Sequence, residues 1–229
     1  MDCQPLRLAE VVVLRNAKDL LFASQVQVFR CAQDDSMLST LRLRFNYPRA
    51  RSPMTIPSAF IERSRHYLAY EYPTKIERCL ATLPPDAVWR RSGDGSNSIG
   101  NLLLHLEGNV RQWLVSSVGG APDHRARSSE FTARQGSDAR TLFGALSATL
   151  GEADAVLASL TPDDLLTDRV VQGRNVTVLD AVYHVVEHFA LHTGQIILLT
   201  KAYQPGSIQF YEDAGGLATP RWPTEGGRL

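Results

Sequence analysis

The sequence has 229 residues with 24 Lys and Arg against 24 Asp and Glu, so its formal net charge is zero and it lacks the excess of basic charge on which nucleic-acid and anionic-membrane binding depend. A hydrophobic content of 44% is that of a globular chain rather than a disordered one. The most apolar stretches, Val11 to Leu14 and Ile196 to Leu199, fall far short of the roughly 18–20 residues that span a bilayer.

In chain order, residues 1–53 come first and read differently from the rest. The segment is mildly basic, holds neither a helical nor a strand period for long, and closes on the linker-like Tyr47-Pro48-Arg49-Ala50-Arg51-Ser52-Pro53. It is expected to be a flexible extension, or upstream sequence before a start at Met54. Asp34 and Asp35 weaken a targeting-peptide reading. From Met54 onward the pattern is that of four long helices. The first runs from about Ser58 to Leu83, with Pro73 inside it to kink or divide it. The second begins after the capping residues Ser96-Asn97-Ser98 and runs to about Val118, where Gly119-Gly120 stops it. Asp123 to Gly136 reads as a polar loop.

The third helix covers roughly Asp138 to Leu160, and Thr161-Pro162 then marks a new cap with Pro at the first helical position. Gln172-Gly173-Arg174-Asn175 is expected to turn between two short extended pieces. Thr177 caps the fourth helix, which runs to about Tyr203 before Pro205-Gly206. Residues 205–229 are expected to form an ordered loop that loosens toward its end. With no internal repeat and no useful alternation, this is an all-α pattern, and four amphipathic helices indicate a four-helix bundle over 54–204.

Three cysteines, Cys3, Cys31 and Cys79, contain no CxxC pair. They argue against a disulfide scaffold or thiolate zinc site and favour a reducing, cytoplasmic setting, with Cys79 a buried thiol on the first helix. The six histidines carry more information. His184, His188 and His192 recur every four residues on the fourth helix. With His184 at zero on a wheel of about 100° per residue, His188 falls near 40° and His192 near 80°, while the apolar residues occupy about 60–160°. His188 and His192 therefore border the core, a chelating pair, and His184 lies further out. On the second helix His105 is about 60–120° from Leu102, Trp113, Leu106 and Ile99, and so borders the buried face. A lone core histidine is usually a hydrogen-bonded packing residue. A third imidazole facing an i, i+4 pair instead makes three nitrogen ligands with one open position, the arrangement of a catalytic metal. His66 and His124 read as surface residues. His184-Val185-Val186-Glu187-His188 matches H-x-x-E-H, but Glu187 falls near 300°, off the apolar sector, which leaves the metallopeptidase reading weak. The most noticeable aromatic-basic cluster, Trp89-Arg90-Arg91, is short and reads as a helix-end or loop cluster rather than a nucleic-acid surface.

These residues resemble a known family. Asn97-Ser98-Ile99-Gly100-Asn101-Leu102-Leu103-Leu104-His105-Leu106, with Asn109-Val110-Arg111-Gln112-Trp113, is similar to the second helix of DinB-like proteins. His184 through His192-Thr193-Gly194-Gln195-Ile196 is similar to their fourth-helix signature, and Phe60 through Ile76 looks like the first helix of an uncharacterised domain-of-unknown-function branch. The resemblance spans about residues 55–204. It implies a DinB/YfiT-like four-helix bundle with a divalent metal held by His105, His188 and His192, and His184 as a non-ligand.

Relatives in that family include thiol-dependent S-transferases, so the resemblance implies a metal-dependent transferase that joins a low-molecular-weight thiol to a small electrophile. A homodimer is also plausible from the family. Zn, Ni and Fe are not distinguished by three nitrogens, and the fold does not fix the reaction. A metal-dependent hydrolase, whose proton acceptor is not evident, and a non-catalytic metal-stabilised bundle that binds or senses a ligand both stay open.

Overall fold

Side chains at the helix starts set the architecture. In a computed structural model, which describes residues 54–221, Thr55, Ser98, Asp138 and Thr177 each accept a hydrogen bond from the first turn of the helix that follows. Each removes one of the unpaired amide donors at a helix start. The expectations for residues 1–53 and for the last eight residues lie outside the described residues. Helix α1 occupies residues 56–82: α-helical Ile56–His66 and Tyr72–Thr82 joined by a π-helical segment, Tyr67–Glu71. Helix α2 occupies residues 99–118 and likewise ends in a π-helical segment, Arg111–Val118. A short helix α3, Arg127–Thr132, precedes α4, Ala139–Ser159, and α5, Val178–Tyr203. The four long helices match the expected bundle to within two residues at most ends.

Three local differences have physical causes. Pro73 divides the α-helical hydrogen bonding of α1 without ending the rod: the Tyr72 amide reaches back to the Tyr67 carbonyl, and this wider turn lies just ahead of a residue that has no amide to donate. The expected polar loop before α4 contains α3, too short for a periodic signal. The expected C-terminal loop is a hairpin, β3 (Tyr211–Ala214) and β4 (Leu217–Pro220), turned by Gly215 and Gly216 at φ 67° and 86°. The other hairpin, β1 (Asp168–Val171) and β2 (Arg174–Thr177), is the one expected, turned by Gln172 and Gly173 at φ 52° and 74°. Two consecutive positive φ values are those of a two-residue type I′ turn.

Helix α2 is the centre of the bundle. It packs against α4 and α5, and α1 packs against α5. The core joins Leu102, Leu106 and Leu114 of α2 to Leu146 and Leu157 of α4 and to Val182, Phe189 and Ile196 of α5, with Ile76 and the Cys79 thiol from α1. Each such aliphatic or aromatic side chain contributes about 1.5–3 kcal/mol on burial. Burial also pushes the Cys79 thiol pKa up, keeping it protonated and inert. No helix among the described residues is long and apolar enough to cross a membrane.

Arg65 of α1 grips Asp154 of α4 with two hydrogen bonds, 2.7 and 2.8 Å. They hold the Asp154 carboxyl below its ordinary value against the opposing effect of burial. A depressed carboxyl pKa contributes stability above the unfolded value that is lost as pH falls through the folded one. Because the pair is 37% and 32% exposed, its worth is at most about 1 kcal/mol. Asp154→Asn is expected to lower the urea midpoint slightly at pH 7 and to leave it unchanged near pH 2, which paired denaturation curves would check.

Candidate metal centre

His105 comes from the middle of α2, and His188 and His192 from successive turns of α5. One ring nitrogen from each lies within 4.8 Å of the other two. His105 Nε2 is 2.9 Å from His188 Nε2, and the ring centroids are 4.4–5.0 Å apart. His105 and His192 are buried and His188 is half-buried. The three residues expected to converge are therefore brought together. His184 stays outside the trio, stacked 5.3 Å from His188, with its ring 4.1 Å from that of Trp113. His124 is exposed, as expected, and His66 is half-buried against Tyr67 and Tyr70. Glu187 is exposed, so the H-x-x-E-H reading has no base on the buried face.

The three histidines of α5 are held neutral. Burial, reinforced by the neighbouring His192, His105, His184 and Arg125, pushes the His188 pKa down to about 3. Burial also lowers His192, against an opposing hydrogen bond to Gln195. His184 is lowered chiefly by burial. Neutral imidazole is the form that binds a metal.

Each buried imidazole also has an acceptor for its second nitrogen. His105 Nδ1–H donates to Glu130 Oε2 at 2.7 Å, and His192 Nδ1–H donates to Gln195 Oε1 at 2.7 Å. Both bonds leave Nε2 with its lone pair free. This is the arrangement that orients metal-ligating histidines, so the donor set suits a divalent metal of borderline softness.

Glu130 is itself tightly held. Arg125 donates from Nε to Oε1 at 2.7 Å and from Nη2 to Oε2 at 2.9 Å. Burial pushes the Glu130 carboxyl up, but the hydrogen bonds from His105 and Arg125 outweigh it and leave the pKa below the ordinary value. The segment carrying both residues is fastened to the bundle. Arg91 donates to the carbonyls of Phe131 and Ala133 at 3.2 and 2.8 Å, and Asn101 Nδ2 to the Glu130 carbonyl at 2.7 Å. Trp89 Nε1 donates to the Ser137 carbonyl at 3.0 Å. The Trp89-Arg90-Arg91 stretch, expected to be a helix-end or loop cluster, thus fastens this segment through Trp89 and Arg91.

With this geometry in view, the comparisons with known proteins become informative. A family described as "Protein of unknown function (DUF1572)" matches residues 56–211, from the start of α1 to the start of β3. The chain belongs to the DUF1572 family. Among solved structures it is similar to the crystal structure of a DinB-like protein, YjoA, from Bacillus subtilis. The TM-score is 0.50 at 18% identity, covering 67% of this chain and 97% of that one. At that identity the likeness establishes a DinB-like fold and nothing about activity. No curated protein matches the chain.

Sequence reasoning identified the three histidines of this DUF1572 chain but missed Arg125, Glu130 and Phe131, whose ring lies 4.6 Å from that of His105. All three fall in the segment expected to be a polar loop. The one usable signal was an acidic residue beside a lone aromatic, too common a pattern to single out.

The low His188 pKa has a consequence for stability. Between its ordinary value of 6.5 and about 3, the unfolded chain binds a proton that the folded chain does not, so stability falls as pH falls through that window. Metal-free protein is expected to lose stability progressively below about pH 6.5, and His188→Asn to show a shallower decline. Urea melts at pH 7.5, 6 and 5 would check this.

Proposed function

We propose that this DinB-like protein binds one divalent metal through His105, His188 and His192, and that with a low-molecular-weight thiol it acts as an S-transferase on a small electrophile. The observation that carries the metal reading is the convergence of three imidazoles, two of which have their outward nitrogens already engaged by Glu130 and Gln195. Among the described residues the cluster contains three protein donors, which favours an open coordination position over a closed structural site. A divalent metal held there supplies a Lewis-acid position that favours the thiolate of a bound thiol, the nucleophilic form.

The chain's own residues contribute orientation and the exclusion of water. His105 is fixed from behind by Glu130, and His192 by Gln195 one turn on. Phe131 covers one side of His105, and the half-buried His188 marks the side open to a ligand. The hydrolase reading is less well supported. The carboxylate near the cluster, Glu130, is occupied by Arg125 and His105 and carries a depressed pKa, which makes it a poor proton acceptor.

The decisive test is elemental analysis of untagged protein beside His105→Ala and His188→Ala, followed by a thiol-dependent conjugation assay with an electrophilic reporter. The expected result is about one metal per chain in the wild type, lost in both variants, and turnover that needs metal and thiol together. Metal without thiol-dependent turnover would leave a metal-stabilised bundle, and a wild type that takes up no metal would remove the proposal altogether.

A further inference from the structure

We infer that the buried Arg125–Glu130 pair, seated in a notch at Gly108, is a positioning device that fixes the tautomer and orientation of His105 and so sets the affinity of the cluster for its metal; this rests on the metal reading above. Three independent observations converge on it. The first is the hydrogen bond itself. Glu130 Oε2 lies 2.7 Å from His105 Nδ1 and an ionised carboxylate can only accept, which places the ring proton on Nδ1 and turns Nε2 toward His188 at 2.9 Å; Arg125 Nη2, 3.2 Å from the same Nδ1, donates to Glu130 Oε2.

The second observation is burial. The side chains of Arg125 and Glu130 are 4% and 8% exposed, and the guanidinium meets the carboxylate through two parallel bonds, the geometry that fixes a carboxylate in plane. Arg125 Nη1 also donates to Gln112 Oε1 at 3.0 Å. Gln112 is bonded in turn to Asp123 and Gln172, at 2.8 Å each. The pair is thereby anchored to α2, to the segment before α3 and to the β1–β2 turn.

The third observation is the glycine. A Cβ on Gly108 would overlap Glu130 Oε1 and come within 3.0 Å of Arg125 Nε. Glycine at this helical position, three residues beyond His105, leaves the carboxylate room in the position from which it meets the ring. An outer-shell carboxylate on a ligating histidine is typically worth 10–100-fold in metal affinity.

The test uses the full chain and zinc(II), with affinity read by competition against a chromophoric chelator and the His105 tautomer read from ring ¹⁵N shifts of metal-free protein. Three variants are compared. Arg125→Leu with Glu130→Leu removes the acceptor without stranding a buried charge. Gly108→Ala keeps both charges but fills the notch. Glu130→Gln keeps an acceptor oxygen for His105 but leaves the buried Arg125 charge unpaired.

The expected result is about a 10–100-fold loss of zinc affinity in the double variant and in Gly108→Ala. His105 is expected to move from Nδ1–H to Nε2–H in the double variant. Glu130→Gln should retain the wild-type His105 tautomer even though the unpaired Arg125 lowers stability, a split that a merely structural role would not produce. Folded variants with wild-type zinc affinity, or a wild-type His105 in the Nε2–H form, would overturn the inference while leaving the metal reading intact. A wild type that binds no zinc would overturn both.

Discussion

Three polar side chains on the central helix, Asn101, His105 and Asn109, are buried, and the arrangement of the rest of the site follows from the need to partner them. They stand four residues apart, so they form one stripe along α2, in a stretch, Ile99–Val110, that is otherwise mostly apolar. A buried polar group without a partner costs about 1–3 kcal/mol, and each of the three finds one elsewhere in the chain. Asn101 takes the backbone of the segment after α3, through the carbonyls of Glu130 and Ala133. His105 takes the Glu130 carboxylate and the imidazoles of α5. Asn109 faces His184 at 3.4 Å. Satisfying the first draws in the segment that supplies the second, so the clamp that holds the loop and the acceptor that orients the histidine form one construction.

The division of labour between the helices is a matter of geometry. Two histidines of the cluster from one helix are cheap to arrange, because an i, i+4 pair needs only helical periodicity. The third must come from a facing helix at close approach. The bundle provides this by packing α2 directly on α5, with Phe189 and Val185 of α5 buried beside the histidines. The π-helical segments of α1 and α2 lie outside the stretches that carry the three histidines, so all three sit on regular α-helix, where their spacing is most tightly defined. Side chains carried on rigid elements hold their relative positions better than side chains on loops.

What was legible in the sequence follows the same logic. Caps such as Ser98, Asp138 and Thr177 and a 3.6-residue period are local signals, and the helices they announce stand where expected. The histidine trio was legible because periodicity alone places His188 and His192 beside the apolar sector. Glu130 was not legible, since a carboxylate in a six-residue helix carries no periodic mark and becomes an acceptor only when α3 docks on α2. Gly108 was equally opaque, because a glycine in a helical pattern reveals a notch only once the side chain that fills it is known. The C-terminal hairpin was different: Gly215-Gly216 is a recognised two-residue turn signal, and the short, mostly exposed strands around it obscured it by lacking alternation.

Local costs gather around the histidine cluster, and this argues for a role beyond packing. Gly108 gives up about 1 kcal/mol relative to alanine in a helix. A buried ion pair such as Arg125–Glu130 is often no more stabilising than apolar residues of the same volume. Close by on α2, Asn109 Oδ1 and Trp113 Nε1 are buried with no hydrogen-bond partner among the described residues, each at a further cost. Elsewhere in the core the interior is the expected mesh of Leu, Ile, Val and Phe, with a polar residue such as Thr200 bonded back to its own helix. Natural chains keep local conflicts of this kind where function needs them and otherwise remove them. A cluster of histidines whose only task was to pack would require neither a mid-helix glycine to admit a carboxylate nor an arginine to hold that carboxylate in place.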